Sequence, residues 1–482
     1  MGNPAKKAAA ATGHHLTTQA ALETIKAGGN AFDGAIAAAL MACVCEPVLA
    51  SPGGGGFAMI HTGGKTRLLD FFAQTPIGKS SLPIDFKEVE ADFGAARQKF
   101  HIGHASSATP GFIPGLFTLH EKYACLPMRK LIEPARKAAN TGIEITSFQH
   151  YLSSVVAPIL LKSPESRAVF APLGHLHQTG ETFFNPGLAM FLDQLGVTGQ
   201  NAFPRDFVLT AQQEHGHLRL EDFENYEVFE RQALSVEVGS SKVHLNPAPA
   251  AGGVLVALAL ASLAGSSIAD VAQALKTVDL ARSSTDSNLA VLLAKAGPPA
   301  YRGTTHISVV DDQQNACSMT LSNGEGNGYI ADDCGFMLNN MLGETDINPG
   351  GKLDWPVNTR MSSMMCPTII ERHDGSVLAM GSGGSNRIRS TIFQVLVHLL
   401  IRKTSIAEAV NASRLHIENG HLDLEPLESN DIAAQLKTIF PDHRQWPDKN
   451  MFFGGCHIAS LQADRTFHGF GDPRRFGHFA SL

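Results

Sequence analysis

Residues 300–310 read AYRGTTHISVV, and the Gly303-Thr304-Thr305 step inside that stretch decides how the whole chain is read. Taken as ordinary backbone it opens a β-strand, because Thr, Ile and Val suit a pleated, half-buried surface. A second reading gives it chemistry. If the bond between Gly303 and Thr304 were cut, Thr304 would carry both a hydroxyl nucleophile and a free α-amine, whose pKa lies near ~8. One residue would then supply nucleophile and general base. The preceding glycine suits such a cut, since the missing Cβ lets the hydroxyl approach the carbonyl of Gly303. The stretch alone does not choose between the two.

Outward from it, the pattern is one of strand pairs and apolar helices. THISVV and ACSMTLS flank residues 311–315, and TII and SVLAM flank Arg372-His373-Asp374-Gly375, where Asp-Gly suits a tight hairpin. GSGGSNR then leads into a predicted helix over residues 388–401. In the first half, residues 17–27 have helical periodicity and stop at Gly28-Gly29-Asn30; residues 31–43 form a second helix so apolar that it must be buried. A hairpin is expected about Thr62-Gly63-Gly64-Lys65, with helices over 116–123, 128–140 and 253–263. Periodicity weakens over residues 163–201, which read as surface elaboration. Hairpins with buried helices indicate an α+β fold of packed helix and sheet layers.

The 482 residues are 44% apolar, ample for a real core, with 38 Lys and Arg against 45 Asp and Glu. That balance excludes the electrostatic footprint of a nucleic-acid binder. The longest apolar run, near residues 254–264, is too short to span a bilayer, and residues 1–15 carry no apolar leader core, so a cytoplasmic protein without membrane partners is expected. Seven scattered cysteines with no Cys-x-x-Cys pair argue against a disulfide framework or a structural zinc site.

Common motifs are absent. Gly64-Lys65-Thr66 and Gly78-Lys79-Ser80 lack the earlier glycine of a phosphate-binding loop, which is Met59 in one case and Ala73 in the other. The GEGNG after Asn323 has no βαβ context and reads as a turn. The histidine pairs His101/His104, His175/His177 and His215/His217 have no carboxylate or cysteine at fixed spacing, so no catalytic metal is expected.

With TTHISVVDDQQNACSMT, the segments GFMLNN, SSMMCPTII, GSGGSNRI and DPRR resemble the gamma-glutamyltransferase (gamma-glutamyltranspeptidase) family of N-terminal-nucleophile hydrolases. AGGNAFDGAIAAAL, EPVLASPGGGGFAMIH, TPGFIPGL, EKYACLPMRKLIEPARKAA and NPAPAAGGVL follow in family-like order, so the likeness covers almost the whole chain. It implies a four-layer αββα sandwich made as an inactive precursor, cut between Gly303 and Thr304 into a large part, residues 1–303, and a small part, 304–482. It implies Thr304 as the nucleophile toward γ-glutamyl amides, with water or an acceptor amine as second substrate and no cofactor. Gly384 and Ser385 stand at the oxyanion position; on local sequence GSGGS reads equally well as a turn leading into a helix. Ser362 and Ser363 fall where the family contacts the donor α-carboxylate, with Met364-Met365-Cys366 inserting one extra residue before Pro367. Ser322 stands where a second hydroxyl supports the nucleophile, and Glu344 near the acidic partner of the donor α-ammonium.

Three departures lie on the donor side. Where the family reads Asp-Phe-Arg-Glu, this chain has Phe72 in place of the arginine that clamps the donor α-carboxylate. The Thr-x-Thr-x-Asn pattern becomes Thr320-Leu321-Ser322-Asn323-Gly324, and Met341 replaces the polar residue after Asn339-Asn340. Losing one charge-assisted contact weakens recognition by about 1.5 to 3 kcal/mol. The resemblance therefore implies a glutathione-hydrolase-like transferase. A related acylase with a non-glutamyl donor, and a processing-dead homologue serving as a binding protein, stay open beside it.

Overall fold

A computed structural model of the chain describes residues 6–81, 83–92, 97–282, 303–344, 354–427 and 429–482. Two antiparallel sheets face each other. The first has seven strands in the order His478–Ser481, Ala8–Thr12, Thr305–Asp311, Ala316–Ser322, Gly55–Thr62, Lys65–Phe71 and Phe229–Gln232. The second has six: Phe467–Phe470, Gly455–Leu461, Val377–Gly383, Thr368–Arg372, Ser241–Leu245 and Leu234–Val238. The strand that follows Thr304 is thus central, paired on one side with residues near the N-terminus and on the other with its own hairpin partner.

Strand alternation assigns the faces. Ile307 and Val309 belong to the core that packs the first sheet on its helices, whereas His306, Ser308 and Val310 look toward the second sheet. His306 bonds Thr320 Oγ1 at 2.8 Å and Ser308 Oγ at 3.0 Å, and Ser308 donates to the His457 carbonyl, so a polar seam joins the sheets. Burial, with His457 alongside, holds His306 neutral.

The helix Ala31–Cys45 lies on the outer face of the first sheet with every residue buried, as its composition demands. Asn30 starts it with a capping box: its side chain accepts from Phe32 and Asp33, and the Asp33 carboxylate accepts from the Asn30 amide. Helices His15–Lys26, Phe112–Tyr123 and Met128–Thr141 join it. On the second sheet's outer face lie Ala251–Ala261, Ile268–Arg282 and Arg387–Leu396. The architecture is helix, sheet, sheet, helix, the expected α+β sandwich.

Two expectations are corrected. Residues 163–201 are not only elaboration: Pro186–Thr198 is a helix whose Leu188, Phe191, Leu192 and Leu195 are buried against Met128–Thr141. Its glycines at 187 and 196 and its proline at the start hid the period. The helix expected over 388–401 changes at Val397–Ile401 to a π-turn. No helix among the described residues is long and apolar enough to cross a membrane.

Candidate active site

Gly303 and Thr304 are buried at the head of the central strand. The Gly303 carbonyl accepts a hydrogen bond from the Ser322 hydroxyl at 2.7 Å, and the Gly303 amide donates to Glu325 Oε1 at 3.1 Å. Ser322 ends the partner strand, so the hairpin brings its hydroxyl back to the bond that precedes the strand. Gly324 donates to Ser322 Oγ, and Asn340 Oδ1 accepts from the Glu325 amide, which fixes the turn after Ser322. Gly324 has a φ of 61°, and a side chain there would lie 2.1 Å from Asn340 Oδ1 and 2.3 Å from Glu344 Oε1. Glu344 is therefore packed around the same turn as Ser322.

The glycine loop arrives from the second sheet. Strand Val377–Gly383 ends against Thr304: a Cβ on Gly383 would meet the Thr304 carbonyl oxygen at 2.2 Å. Gly384 and Ser385 both take positive φ, 123° and 53°, and turn the chain into the helix Arg387–Leu396. A non-glycine residue in the left-handed region is uncommon and marks a constrained position. Backbone amides of this loop, ahead of a helix and in a buried setting, can stabilise a developing oxyanion.

A cation sits beside this junction. Arg475, from the turn Pro473–Arg475, reaches the Thr304 carbonyl at 3.5 Å. Burial, reinforced by nearby Arg387, pushes its guanidinium down to about 10. Across the strand, Thr305 donates its hydroxyl to Glu46 Oε1 at 2.9 Å. Burial raises the Glu46 carboxyl to about 7, against the lowering effects of that hydrogen bond and of Arg475.

Thus Gly303, Thr304, Ser322 and the Gly384-Ser385 loop come together, with Glu344 around the same turn. The Ser363 hydroxyl accepts from the Met365 amide, and its carbonyl takes the Ala251 and Gly252 amides at the start of a helix. Ser362 Oγ is buried without a hydrogen-bond partner. No hydrogen bond among the described residues links either serine to Thr304. Phe72 stacks on Phe57 with ring centroids 5.3 Å apart, in an apolar cluster with Met341, Leu342, Trp355 and Met361. The nearby arginine, Arg360, gives its N–H groups to the Phe72 and Glu227 carbonyls and to Tyr226, with Asp70 3.6 Å from its Nε. It is held inside the protein by these groups.

Comparison with known proteins fits this geometry. The Gamma-glutamyltranspeptidase family model matches residues 17–282 and 268–482. The chain belongs to the gamma-glutamyltranspeptidase family. It is 27% identical over 474 residues to a glutathione hydrolase proenzyme of Escherichia coli, covering 86% of this chain and 81% of the relative. It is 25% identical over 512 residues to the acylase ACY 1 proenzyme of a Pseudomonas species, covering 95% and 90%. The crystal structure of a cephalosporin acylase from Bacillus halodurans superimposes with a TM-score of 0.83 over 99% of this chain and 96% of that one, at 22% identity, and so shares the N-terminal-nucleophile hydrolase fold. The chain is accordingly an enzyme of the gamma-glutamyltransferase type.

Sequence reading missed Glu46, Thr305, Glu325 and Arg475. Arg475 lies in the DPRR segment and Glu325 in the GEGNG turn, so residue type is visible in the sequence and position is not. Glu46 had one signal, an acid directly after a helix that is apolar beyond its first turn.

Proposed function

We propose that the protein is a self-processing threonine-nucleophile transferase and hydrolase of γ-glutamyl amides. The observation that carries this is the junction itself: the Gly303 carbonyl held by Ser322 at 2.7 Å, directly before Thr304 and beside the Gly383–Ser385 loop. Processing begins when Thr304 Oγ attacks the Gly303 carbonyl carbon. The C–N bond breaks as its nitrogen takes the proton from the Thr304 hydroxyl and becomes a new amine, and an ester joins Gly303 to Thr304. Water cleaves the ester, leaving a Gly303 carboxylate and a free Thr304 hydroxyl and yielding chains 1–303 and 304–482.

In turnover the α-amine takes the hydroxyl proton as Oγ attacks the donor's γ-amide carbonyl, and the loop amides support the oxyanion. The leaving amine takes that proton, and water or an acceptor amine resolves the acyl-enzyme. Ser322, near the turn that also packs Glu344, is suited to hold both the precursor carbonyl and, after the cut, the donor. Glu344 supplies negative charge for the donor α-ammonium.

A second reading is favoured by Phe72. An aromatic ring at the clamp position, stacked in an apolar cluster, suits an acyl group without an α-carboxylate, as an acylase would take. The two are separated by comparing hydrolysis of a γ-glutamyl anilide with aliphatic and aromatic acyl anilides. Processing is tested by a denaturing gel with N-terminal sequencing. A chain beginning Thr-Thr-His-Ile-Ser is expected, and a chain that stays whole under active conditions would falsify the proposal.

A further inference from the structure

Behind the nucleophile lies a carboxyl group that the steps above do not use. Glu46 follows the last residue of the buried helix Ala31–Cys45, at the helix end whose dipole disfavours negative charge. Thr305 and Thr304 are neighbours on an extended chain and project to opposite faces, so Glu46 meets the strand from the side away from the oxyanion loop. The contact is built. A Cβ on Gly13 would lie 2.4 Å from Glu46 Oε1 and 3.0 Å from Thr305 Oγ1, so the N-terminal strand also closes on this pair. One on Gly303 would lie 2.7 Å from the Val48 carbonyl, so the segment from Glu46 to Val48 wraps residues 303–305.

The other carboxyl oxygen, Oε2, is buried and has no hydrogen-bond partner, and so is His14 Nε2. Both residues line a cavity of about 30 Å³, room for one or two water molecules. His14 Nδ1 accepts from the Leu16 amide, which leaves the proton of the neutral ring on Nε2. His14 and Glu46 therefore share the lining of one water-sized space with Gln149 and Phe476.

We propose that Glu46 is a positioning residue that sets the working pH of the nucleophile: its carboxylate anchors the Thr305 hydroxyl, and its charge favours the ammonium form of the amine freed at Thr304. When the carboxyl is protonated that charge disappears, and the amine gives up its proton more readily. This rests on Thr304 being the nucleophile.

The groups facing Glu46 leave it free to titrate in the useful range. On its own helix Cys43 and Cys45 are kept neutral, chiefly by burial. From the cavity wall His14 and His177 are likewise driven toward the neutral form by burial, His14 down to about 3. From the C-terminal turn Arg475 faces it as a cation, and that guanidinium also contacts the Thr304 carbonyl. Glu46 at about 7 and a terminal amine near ~8 titrate together, and the rate profile reports the pair.

The test compares wild type, Glu46→Gln, Thr305→Val and Thr305→Ser. Each is followed by denaturing gel and by the pH dependence of kcat/KM on whichever anilide, γ-glutamyl or aromatic acyl, the wild type cuts faster. Glu46→Gln is expected to process and to move the acid limb of the profile down by about one pH unit with KM unchanged. Thr305→Val, which frees the carboxyl to stay protonated, moves it the same way, and Thr305→Ser restores it. If Glu46→Gln does not fold, the valine and serine pair decides. Superimposable profiles for all processed variants overturn the role of Glu46 and leave the nucleophile standing. If no sample, wild type included, releases a chain beginning at Thr304, it is the nucleophile assignment that fails.

Discussion

The Ser322 hydroxyl lies 2.7 Å from the Gly303 carbonyl oxygen, so the bond that the proposed processing breaks already has a hydrogen-bond donor on its carbonyl. That donor comes from the adjacent strand of the same hairpin, at a fixed register, and needs no reorganisation as charge develops. Replacing Ser322 with alanine should slow the appearance of the second chain about 10²-fold, while Ser322→Thr keeps the hydroxyl and most of the rate. A time course of gel band intensities measures both. Equal rates for wild type and the alanine variant remove Ser322 from the processing step.

Gly383 tests the other side of the junction. Its missing side chain is what allows the loop to touch the Thr304 backbone, since a Cβ would stand 2.2 Å from the carbonyl oxygen. Backbone cannot yield there as the end of a flexible side chain could, so Gly383→Ala must push the loop away from Thr304. The expected outcome is a loss of turnover of about 10²-fold or more with the precursor still folded. Circular dichroism checks folding and an anilide assay checks turnover. Wild-type turnover in the alanine variant would show that the loop's approach is not needed.

Much of this arrangement is legible in the residues, and the division has a physical basis. Beyond Asp33 in its first turn, Ala31–Cys45 is apolar on every face and could only be buried. The hairpin of Thr305–Asp311 and Ala316–Ser322 follows from local alternation and a short polar turn. Thr304 stands out because a glycine and two threonines at a strand opening suit a self-cleaving step. What local pattern does not carry is contact between distant segments. Glu46 and Thr305 are 259 positions apart, and Arg475 and Thr304 171. Pro186–Thr198 escaped because its glycines and proline break the helical period that burial against Met128–Thr141 enforces. Ser363 shows the same limit: its hydroxyl accepts from the Met365 amide and its carbonyl takes the Ala251 and Gly252 amides, contacts that its spacing in the sequence does not announce.

Phe72 bears on the choice of donor. Phe72→Arg places a guanidinium in an apolar cluster, and without a partner such a charge destabilises the fold. A γ-glutamyl donor offers its α-carboxylate as that partner. The variant should therefore melt lower than wild type and regain stability with glutamate present, by mass action. Its kcat/KM for a γ-glutamyl anilide relative to an aromatic acyl anilide should rise about 10- to 100-fold. An unchanged ratio in a folded variant means that position 72 does not contact the donor.

The Glu46 carboxyl also makes stability depend on pH, with a sign fixed by the direction of its shift. Burial raises it from 4.5 to about 7, so between those values the folded chain holds a proton that the unfolded chain has released. Stability associated with this group is complete below the unfolded value, falls as pH rises, and stops falling once the folded carboxyl has also ionised. The difference corresponds to roughly 3 kcal/mol. Glutamine cannot ionise, so Glu46→Gln should be free of the decline. Urea unfolding at pH 5 and pH 8, in a Thr304→Ala background that keeps a single uncut chain, should show the glutamine variant gaining on its parent by about that amount at the higher pH. A gap that stays constant between the two pH values would mean that Glu46 is ionised in the fold throughout, held by Arg475 more firmly than its burial allows.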